Sequence, residues 1–232
     1  MTARLLSQTP PTDTHRHSGN HPETVAEPAD LVYVLDDDDQ LCLSLAWLLE
    51  SVHVRTECFT EADSFFAAFD PDRPACLVLD VRMPGTGGFR VQELLNAHDT
   101  VLPVVFVSAH GDIPMSVRAL QRGAVDFLEK PYDPQRMLDT VQSALRTAGE
   151  RYARRVERRA MKARLATLST REREVLRQVI AGEPSKTIAK RLGISLKTVD
   201  AHRARIREKA DADTLGSLIG DMMRCRLDQS EV

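Results

Sequence analysis

The stretch LVYVLDDDD, residues 31–39, runs five apolar residues straight into four aspartates. A run this short is no free-standing helix, and it lacks the polar alternation of a strand with one face in water, so it reads as a strand buried on both faces. Three further runs share its form: CLVL ends on Asp80, VVFV on Ser108 and AVDFLE on Lys130. Parallel strands of this kind bind ligands at their carboxyl ends, so the fold would collect three acids, a hydroxyl and an ammonium along one edge.

Helical patterns fill the intervals. A helix with Leu41, Leu45 and Leu48 on one face is predicted after the aspartates, and Thr60 with Asp63 three residues on reads as the cap of a second, which carries Phe65, Phe66 and Phe69. A strand near Val52 to Cys58 precedes it. Residues 83–88 form a loop by their Pro and Gly content, followed by a helix through Val91, Leu94 and Leu95. Another helix spans about Pro114 to Arg122 and stops at Gly123, and a fifth starts near Asp133. The pattern predicts an α/β domain, a five-stranded doubly wound sheet of the flavodoxin-like kind, followed by an all-α helix-turn-helix domain.

The residues at the strand ends suit one chemistry. A carboxylate attacks a phosphoryl group only where charge crowding is relieved, which Mg2+ does with carboxylate, backbone and water oxygens. Asp37 and Asp80 are placed as direct ligands with Asp36 acting through water, and Asp80 keeps a free oxygen as nucleophile, forming an acyl phosphate. Lys130 offers a charge to the new phosphate and Ser108 a hydrogen bond. Taken singly, each is more often an ordinary strand-end or solvated residue; their gathering at successive strand ends carries the reading. An Asp-nucleophile phosphatase is the competing one, but that chemistry commonly uses an acid two residues beyond its nucleophile, where this chain has Arg82.

Charge is distributed unevenly. From Arg146 onward the chain holds 21 Lys and Arg against 12 Asp and Glu, and the residues before it hold 10 against 22. A basic half of this kind points to a polyanion partner, a solvated basic helix being the plain alternative for the Arg-rich stretch. Met137, Val141, Leu145, Ala148, Tyr152, Val156 and Ala160 recur every three or four residues, which is compatible with one continuous helix, alone or paired with its copy, and equally with one that frays near Gly149. Beyond it, Ser169 with Glu172 makes a capping box, Gly182 and Pro184 end that helix, Ser185 opens a short one, Gly193 turns and Ser195 caps the next. Helix, glycine turn, helix is the helix-turn-helix plan. In its second helix, 3.6-residue spacing puts Lys197, Asp200, Ala201, Ala204 and Arg205 on one face, opposite Val199, Ile206 and His202. Lys197 and Arg205 suit phosphate or guanine, whereas Asp200 accepts from a base or a neighbouring Arg. Thr198 and Arg203 complete the candidate DNA contacts, Thr198 and Ser195 as caps or backbone contacts.

The remaining features bound the class. No stretch reaches the roughly 18 apolar residues of a membrane span, and no secretion signal opens the chain, so a cytoplasmic protein is expected. Cys42, Cys58, Cys76 and Cys225 lack the spacing of a zinc or redox motif and read as reduced packing residues. The Pro-rich residues 1–29 have no apolar periodicity and are expected to be disordered, with His15, His17 and His21 lacking acidic or Cys partners for a metal.

The blocks VYVLDDDDQ, CLVLDVRMPGTGG, VVFVSAHGDIPMSV and RGAVDFLEKPY resemble, in order and interval, the signatures of response-regulator receiver domains. LSTREREVLRQVIAGEPSKTIAKRLGISLKTVDAHRARIREK is similar to the LuxR/NarL-type helix-turn-helix, and the combination resembles the FixJ-type regulators of bacterial two-component systems over about residues 30–226. The resemblance implies a receiver domain over 30–147, a basic helical linker over 148–165 and a DNA-binding domain over 166–232. It implies Asp80 as acceptor from a sensor histidine kinase, Asp36 and Asp37 as the acidic pair, the backbone carbonyl of Arg82 as a further magnesium ligand, Ser108 and Phe127 as switch positions, and a cis-proline after Lys130. Promoter DNA, RNA polymerase and, on phosphorylation, a second copy of the chain are the partners it implies, with no enzymatic turnover beyond slow loss of the phosphate. The chain departs from the family at Ala210, where a large apolar residue is usual, and Gly216 and Gly220 weaken the last helix by about 1 kcal/mol each relative to Ala, so that helix is expected to be marginal without a partner.

Overall fold

The computed structural model describes residues 31–97, 100 and 102–228; the expectations for residues 1–29 lie outside these. Five strands, β1 (Leu31–Leu35), β2 (Arg55–Phe59), β3 (Ala75–Asp80), β4 (Val104–Ser108) and β5 (Asp126–Glu129), form one parallel sheet in the order β2-β1-β3-β4-β5. That is the flavodoxin-like doubly wound order, with its switch point between β1 and β3. Each strand of the central three alternates its apolar side chains between two cores. Leu31, Tyr33, Leu35, Leu77, Leu79 and Phe106 face one layer, built from α2 (Ala62–Ala68), α3 (Gly88–Ala97) and α4 (Ile113–Gln121). Val32, Val34, Cys76, Val78, Val105 and Val107 face the other, built from α1 (Asp39–Glu50) and α5 (Pro134–Ala166).

Several local expectations shift. The buried stripe of α1 is Cys42, Leu45 and Leu49, with Leu41 and Leu48 half-buried at its margins. α2 is preceded by Glu61, which makes no side-chain cap bond, so Thr60 and Asp63 do not form the expected cap. Phe65 anchors that helix instead, its ring packed against Tyr33, Phe59, Phe66 and Phe69, an aromatic cluster whose burial fixes a seven-residue helix too short to hold itself. β2 is the edge strand and half-exposed, which is why no continuous apolar run announces it. Cys58 sits there exposed, whereas Cys42 and Cys76 are buried and burial pushes both thiols up to about 12; all four cysteines are free.

α5 is continuous through Gly149, but its seam is not. Met137, Val141, Leu145 and Ala148 are buried against the sheet, Val156 is 42 % exposed, and the next buried residues are Met161 and Leu165 in a separate core. A 3.6-residue helix carries its apolar stripe to a new bearing, so one helix serves two cores. Between them Arg155 Nη1 donates to the Pro71 carbonyl at 2.7 Å and Arg159 pairs with Asp72 at 2.5 Å. No described helix is long and apolar enough to cross a membrane.

The second core belongs to α6 (Thr170–Ile180), α7 (Ser185–Leu192), α8 (Leu196–Ala210) and α9 (Leu215–Arg224), closing around Val175, Leu176, Ile188, Val199, Ile206 and Leu218. Gly193 adopts φ +65° at the turn, where a left-handed residue lets α8 leave α7 at once. Ala210 is itself buried in this core, and α9 is complete despite its glycines, held by a Thr214/Ser217 capping box and by Leu215, Leu218 and Met222. Glu172 joins the two ends of the domain: its carboxylate accepts from the Ser169 amide at 2.8 Å and from Lys209 Nζ at 2.7 Å. Burial would push that carboxyl up, but Lys209 and Ser169 outweigh it and hold it at about 2. Because the folded value lies below that of an unfolded glutamate, the stabilisation is present above about pH 4.5 and is lost as pH falls toward 2. Protection of α6 and α8 amides, taken as exchange relative to the intrinsic rate at each pH, should therefore fall across that window in the native chain and change less in Glu172→Gln; equal dependence in both would remove the ion pair as its cause.

Candidate phosphoacceptor site and DNA-facing helix

The sheet's carboxyl edge is assembled by backbone register. Asp36 follows β1 and its amide donates to the Phe59 carbonyl; Val81, just past β3, donates to Val107; and Lys130, just past β5, donates to the Ser108 carbonyl at 2.8 Å. The ladder thus extends one residue beyond the strands and sets Asp36, Asp80, Ser108 and Lys130 side by side. Lys130 Nζ spans the site, 2.6 Å from Asp36 Oδ2 and 2.8 Å from Asp80 Oδ1. Its peptide bond to Pro131 is cis. Both carboxylates are buried, Asp36 at 1 % and Asp80 at 5 % exposure. The other Asp80 oxygen accepts from the Arg82 amide at 2.6 Å, and Asp36 Oδ1 from the Asp38 amide at 3.1 Å, while Asp38 caps α1.

Burial pushes the Asp80 carboxyl above the usual range; Lys130 pulls it down, Asp36 adds to the rise, and the Arg82 amide opposes it. Burial likewise opposes the charge on Lys130, but the two aspartates outweigh it and raise its pKa. Two acids and one ammonium leave this buried site with a net negative charge, which the raised Asp80 carboxyl relieves in part and a bound cation would offset. Among the described residues no three His, Cys, Asp or Glu side chains are gathered closely enough to hold a metal ion. Asp36, not Asp37, shares Lys130 with Asp80; Asp37 is exposed and lines a groove with Thr60, Asp63 and Thr86. The two buried carboxylates, without sulfur or imidazole beside them, fit a hard divalent cation such as Mg2+.

Ser108 is buried, and its hydroxyl accepts from the His110 amide at 3.2 Å, so it is held by the loop that leads to α4. Phe127 is half-buried beside Gly111 of that loop. Two glycines prove to be contact sites, Gly88, which the sequence reading placed in a loop, and Gly111, which it did not single out. A Cβ on Gly88 would lie 2.2 Å from the Asp80 carbonyl oxygen, and one on Gly111 would lie 2.8 Å from Phe127 Cε1. No sequence signal separates them from turn glycines, since their need is set by what packs across from them.

On α8, Lys197, Asp200, Ala201, Ala204 and Arg205 are exposed, with Val199 and Ile206 buried and His202 half-buried. Among the described residues Lys197 and Arg205 carry no ion pair, and Asp200 does not hold Arg205. Thr198 is half-buried and bonded to Ser195, its amide donating to Ser195 Oγ at 3.1 Å. Arg203 is turned inward, its Nη1 donating to Ser185 Oγ at 3.0 Å, so here it ties α8 to the start of α7. The exposed face offers cations where a phosphate backbone would run and a carboxylate among small side chains that let it approach base edges.

The chain's likeness to known proteins agrees with both halves. A family model of the response regulator receiver domain matches residues 32–142, and one of the bacterial regulatory proteins of the luxR family matches residues 166–219. The transcriptional regulatory protein TdiR of Thauera aromatica is 43% identical over 196 residues, 84% of this chain and 86% of its own length. FixJ of Azorhizobium caulinodans is 40% identical over 188 residues, 81% and 89% of the two chains. The solved structure of the response regulator StyR superimposes with TM-score 0.72 at 39% identity, covering 84% of this chain and 98% of that one. A doubly wound sheet with an acid-lysine edge, followed by a helix-turn-helix, thus belongs to the FixJ-like response regulators, transcriptional regulators that join a receiver domain to a LuxR-family DNA-binding domain.

Proposed function

We propose that this chain takes a phosphoryl group onto Asp80 from the phosphohistidine of a sensor histidine kinase and, so modified, pairs with a second copy and binds promoter DNA. The observation that carries the reading is Lys130 bonded at once to Asp36 and Asp80 at the sheet's carboxyl edge. An Asp80 oxygen attacks phosphorus, the phosphorus–nitrogen bond of the donor breaks, and the imidazole leaves with the electron pair and takes up a proton. Lys130, released from part of its work on Asp80, pairs with a phosphoryl oxygen, and the Ser108 hydroxyl turns from the His110 amide to donate to another. Asp36 and Asp80 would hold Mg2+ once Asp37 and the Arg82 backbone carbonyl, which are not gathered with them here, are drawn in, and the ion when bound supplies the charge that offsets the crowding of carboxylate and phosphoryl oxygens.

Movement of Ser108 vacates space that the Phe127 ring can enter, which changes the surface of α4 and β5. That surface is apolar: Ile113 is 80 % exposed, and Val117 and Leu120 follow it on α4. It suits a two-fold contact between copies. Exposed Trp47 and Leu43, one turn apart on α1, offer the kinase a separate apolar contact. The regulator acts in the cytoplasm, on promoter DNA and with RNA polymerase, and turns over no separate substrate. Incubation with a small phosphodonor and Mg2+ should place one hydroxylamine-labile phosphate on the native chain and none on Asp80→Ala. Sedimentation should show dimers with beryllofluoride, an acyl-phosphate mimic, and monomers without it. Equal labelling of Asp80→Ala would remove the acceptor assignment, and identical mass distributions would remove phosphorylation as the cause of pairing.

A further inference from the structure

Gly111 is not a conformational glycine. Its φ lies outside the positive range that Gly85, Gly123, Gly182 and Gly193 adopt, so an alanine would suit its backbone. What it lacks is space. A methyl there would stand 2.8 Å from Cε1 and 3.4 Å from Cζ of Phe127, and 3.8 Å from Cβ of Glu129. The ring edge therefore rests on bare backbone.

The loop that carries Gly111 is tied at both ends. His110 donates to Ser108 Oγ at 3.2 Å, and Asp112 caps α4 by accepting from the Met115 amide at 2.7 Å. α4 is in turn pinned at its far end, where Gln92 Nε2 and Asn96 Nδ2 both donate to the Arg122 carbonyl, at 3.2 and 3.1 Å, and Arg122 pairs with Glu93. Crowding at Gly111 is thus met by an anchored backbone on one side and the far edge of a half-buried side chain on the other. The ring yields, as side chains do before a tethered backbone.

We propose that Gly111 is a positioning residue for the phosphorylation response: its bare Cα keeps open the place that the Phe127 ring occupies in the unphosphorylated chain, and a side chain there drives the ring toward the place it takes when Asp80 is phosphorylated. This rests on Phe127 as the ring that answers Asp80. The place the ring holds here is filled by the added methyl, so its alternative gains without any new contact to the phosphate. The substitution shifts a population rather than the chemistry.

The test uses full-length Gly111→Ala, with the Phe127 ring followed by 19F resonance in fluorophenylalanine-labelled protein, assigned by its loss in Phe127→Leu. Without beryllofluoride the resonance should move toward its position in beryllofluoride-treated native protein, and self-association should strengthen about tenfold, with the beryllofluoride-bound affinity unchanged. A merely damaged fold would weaken both states alike. In a Phe127→Leu background Gly111→Ala should have no effect on association, and it should recover solubility there if the single variant precipitates. An unmoved ring, or a double variant that behaves as the single one does, overturns the inference. A native protein whose association ignores beryllofluoride would instead overturn the phosphorylation reading, and the ring resonance would still decide what Gly111 does.

Discussion

Gly88→Ala is expected to unfold the receiver domain or lower its melting temperature by more than about 10 °C, a destabilisation of at least about 3 kcal/mol for a domain of this size. Gly88 is the first residue of α3, and its amide donates to the Val81 carbonyl at 3.1 Å. The added Cβ would stand 2.2 Å from the Asp80 carbonyl oxygen, 3.1 Å from its carbon and 3.1 Å from Cε1 of Phe106. Nothing there can give way. Asp80 ends the strand that lies between β1 and β4, and Phe106 is wholly buried beneath the same helix. The contrast with Gly111 is instructive, because there the opposing group is the end of a side chain. Gly87 supplies the control: its Cβ would meet only the Val81 carbonyl at 3.5 Å, an ordinary contact, so Gly87→Ala should change stability by less than about 1 kcal/mol. A Gly88→Ala domain that melts with the native one would show that α3 is not seated against the strand that ends on Asp80.

What the sequence made legible follows from how local each signal is. The buried strands announced themselves because their burial on both faces leaves no polar position to interrupt the run, and the strand-end acids came with them. β2 was blurred because an edge strand is covered on one side only, and its Arg55 and Cys58 are exposed. The caps at Ser169 and Ser195 were readable because cap and partner lie three residues apart, and the helix start read near Asp133 proves to be capped by it in the same way. Thr60 failed as a cap because packing of Phe65, rather than a hydrogen bond, decides where α2 begins. The seam along α5 seemed continuous because periodicity registers that a position faces something, not which core it faces. Pairings between elements with no shared strand-end signal were out of reach, as Glu172 with Lys209 across 37 residues and Arg203 with Ser185, and for Lys130 the edge was legible but not that Asp36 shares it with Asp80. The same holds for Gly88 and Gly111, whose missing side chains acquire meaning only when another element stands opposite.

The largest effect on the second half is expected from Lys197→Ala combined with Arg205→Ala, which should weaken operator binding about 100-fold while leaving phosphate uptake at Asp80 intact. Both side chains are exposed on α8, on the side away from Val199 and Ile206, and neither is engaged elsewhere among the described residues. Lys197 follows directly on Leu196, the first residue of the helix, where a cation would meet the phosphate backbone if this helix enters the groove. Its loss should therefore lower affinity evenly across sequences and reduce the slope of log affinity against log salt by about one. Arg205 lies two turns further along, clear of Asp200, with its guanidinium free to reach a guanine edge. Its loss should cost about 1–3 kcal/mol on the cognate site, relax one base position and leave most of the salt slope in place. Arg203→Ala is the comparison, since its Nη1 is committed to Ser185 and its removal should loosen the α7–α8 angle, lowering domain stability as well as binding. Titrations of the beryllofluoride-bound dimer on two half-sites about one helical turn apart, repeated at several salt concentrations, separate these cases. Native affinity in the double variant would mean that α8 meets the groove with a different face, or that another helix enters it.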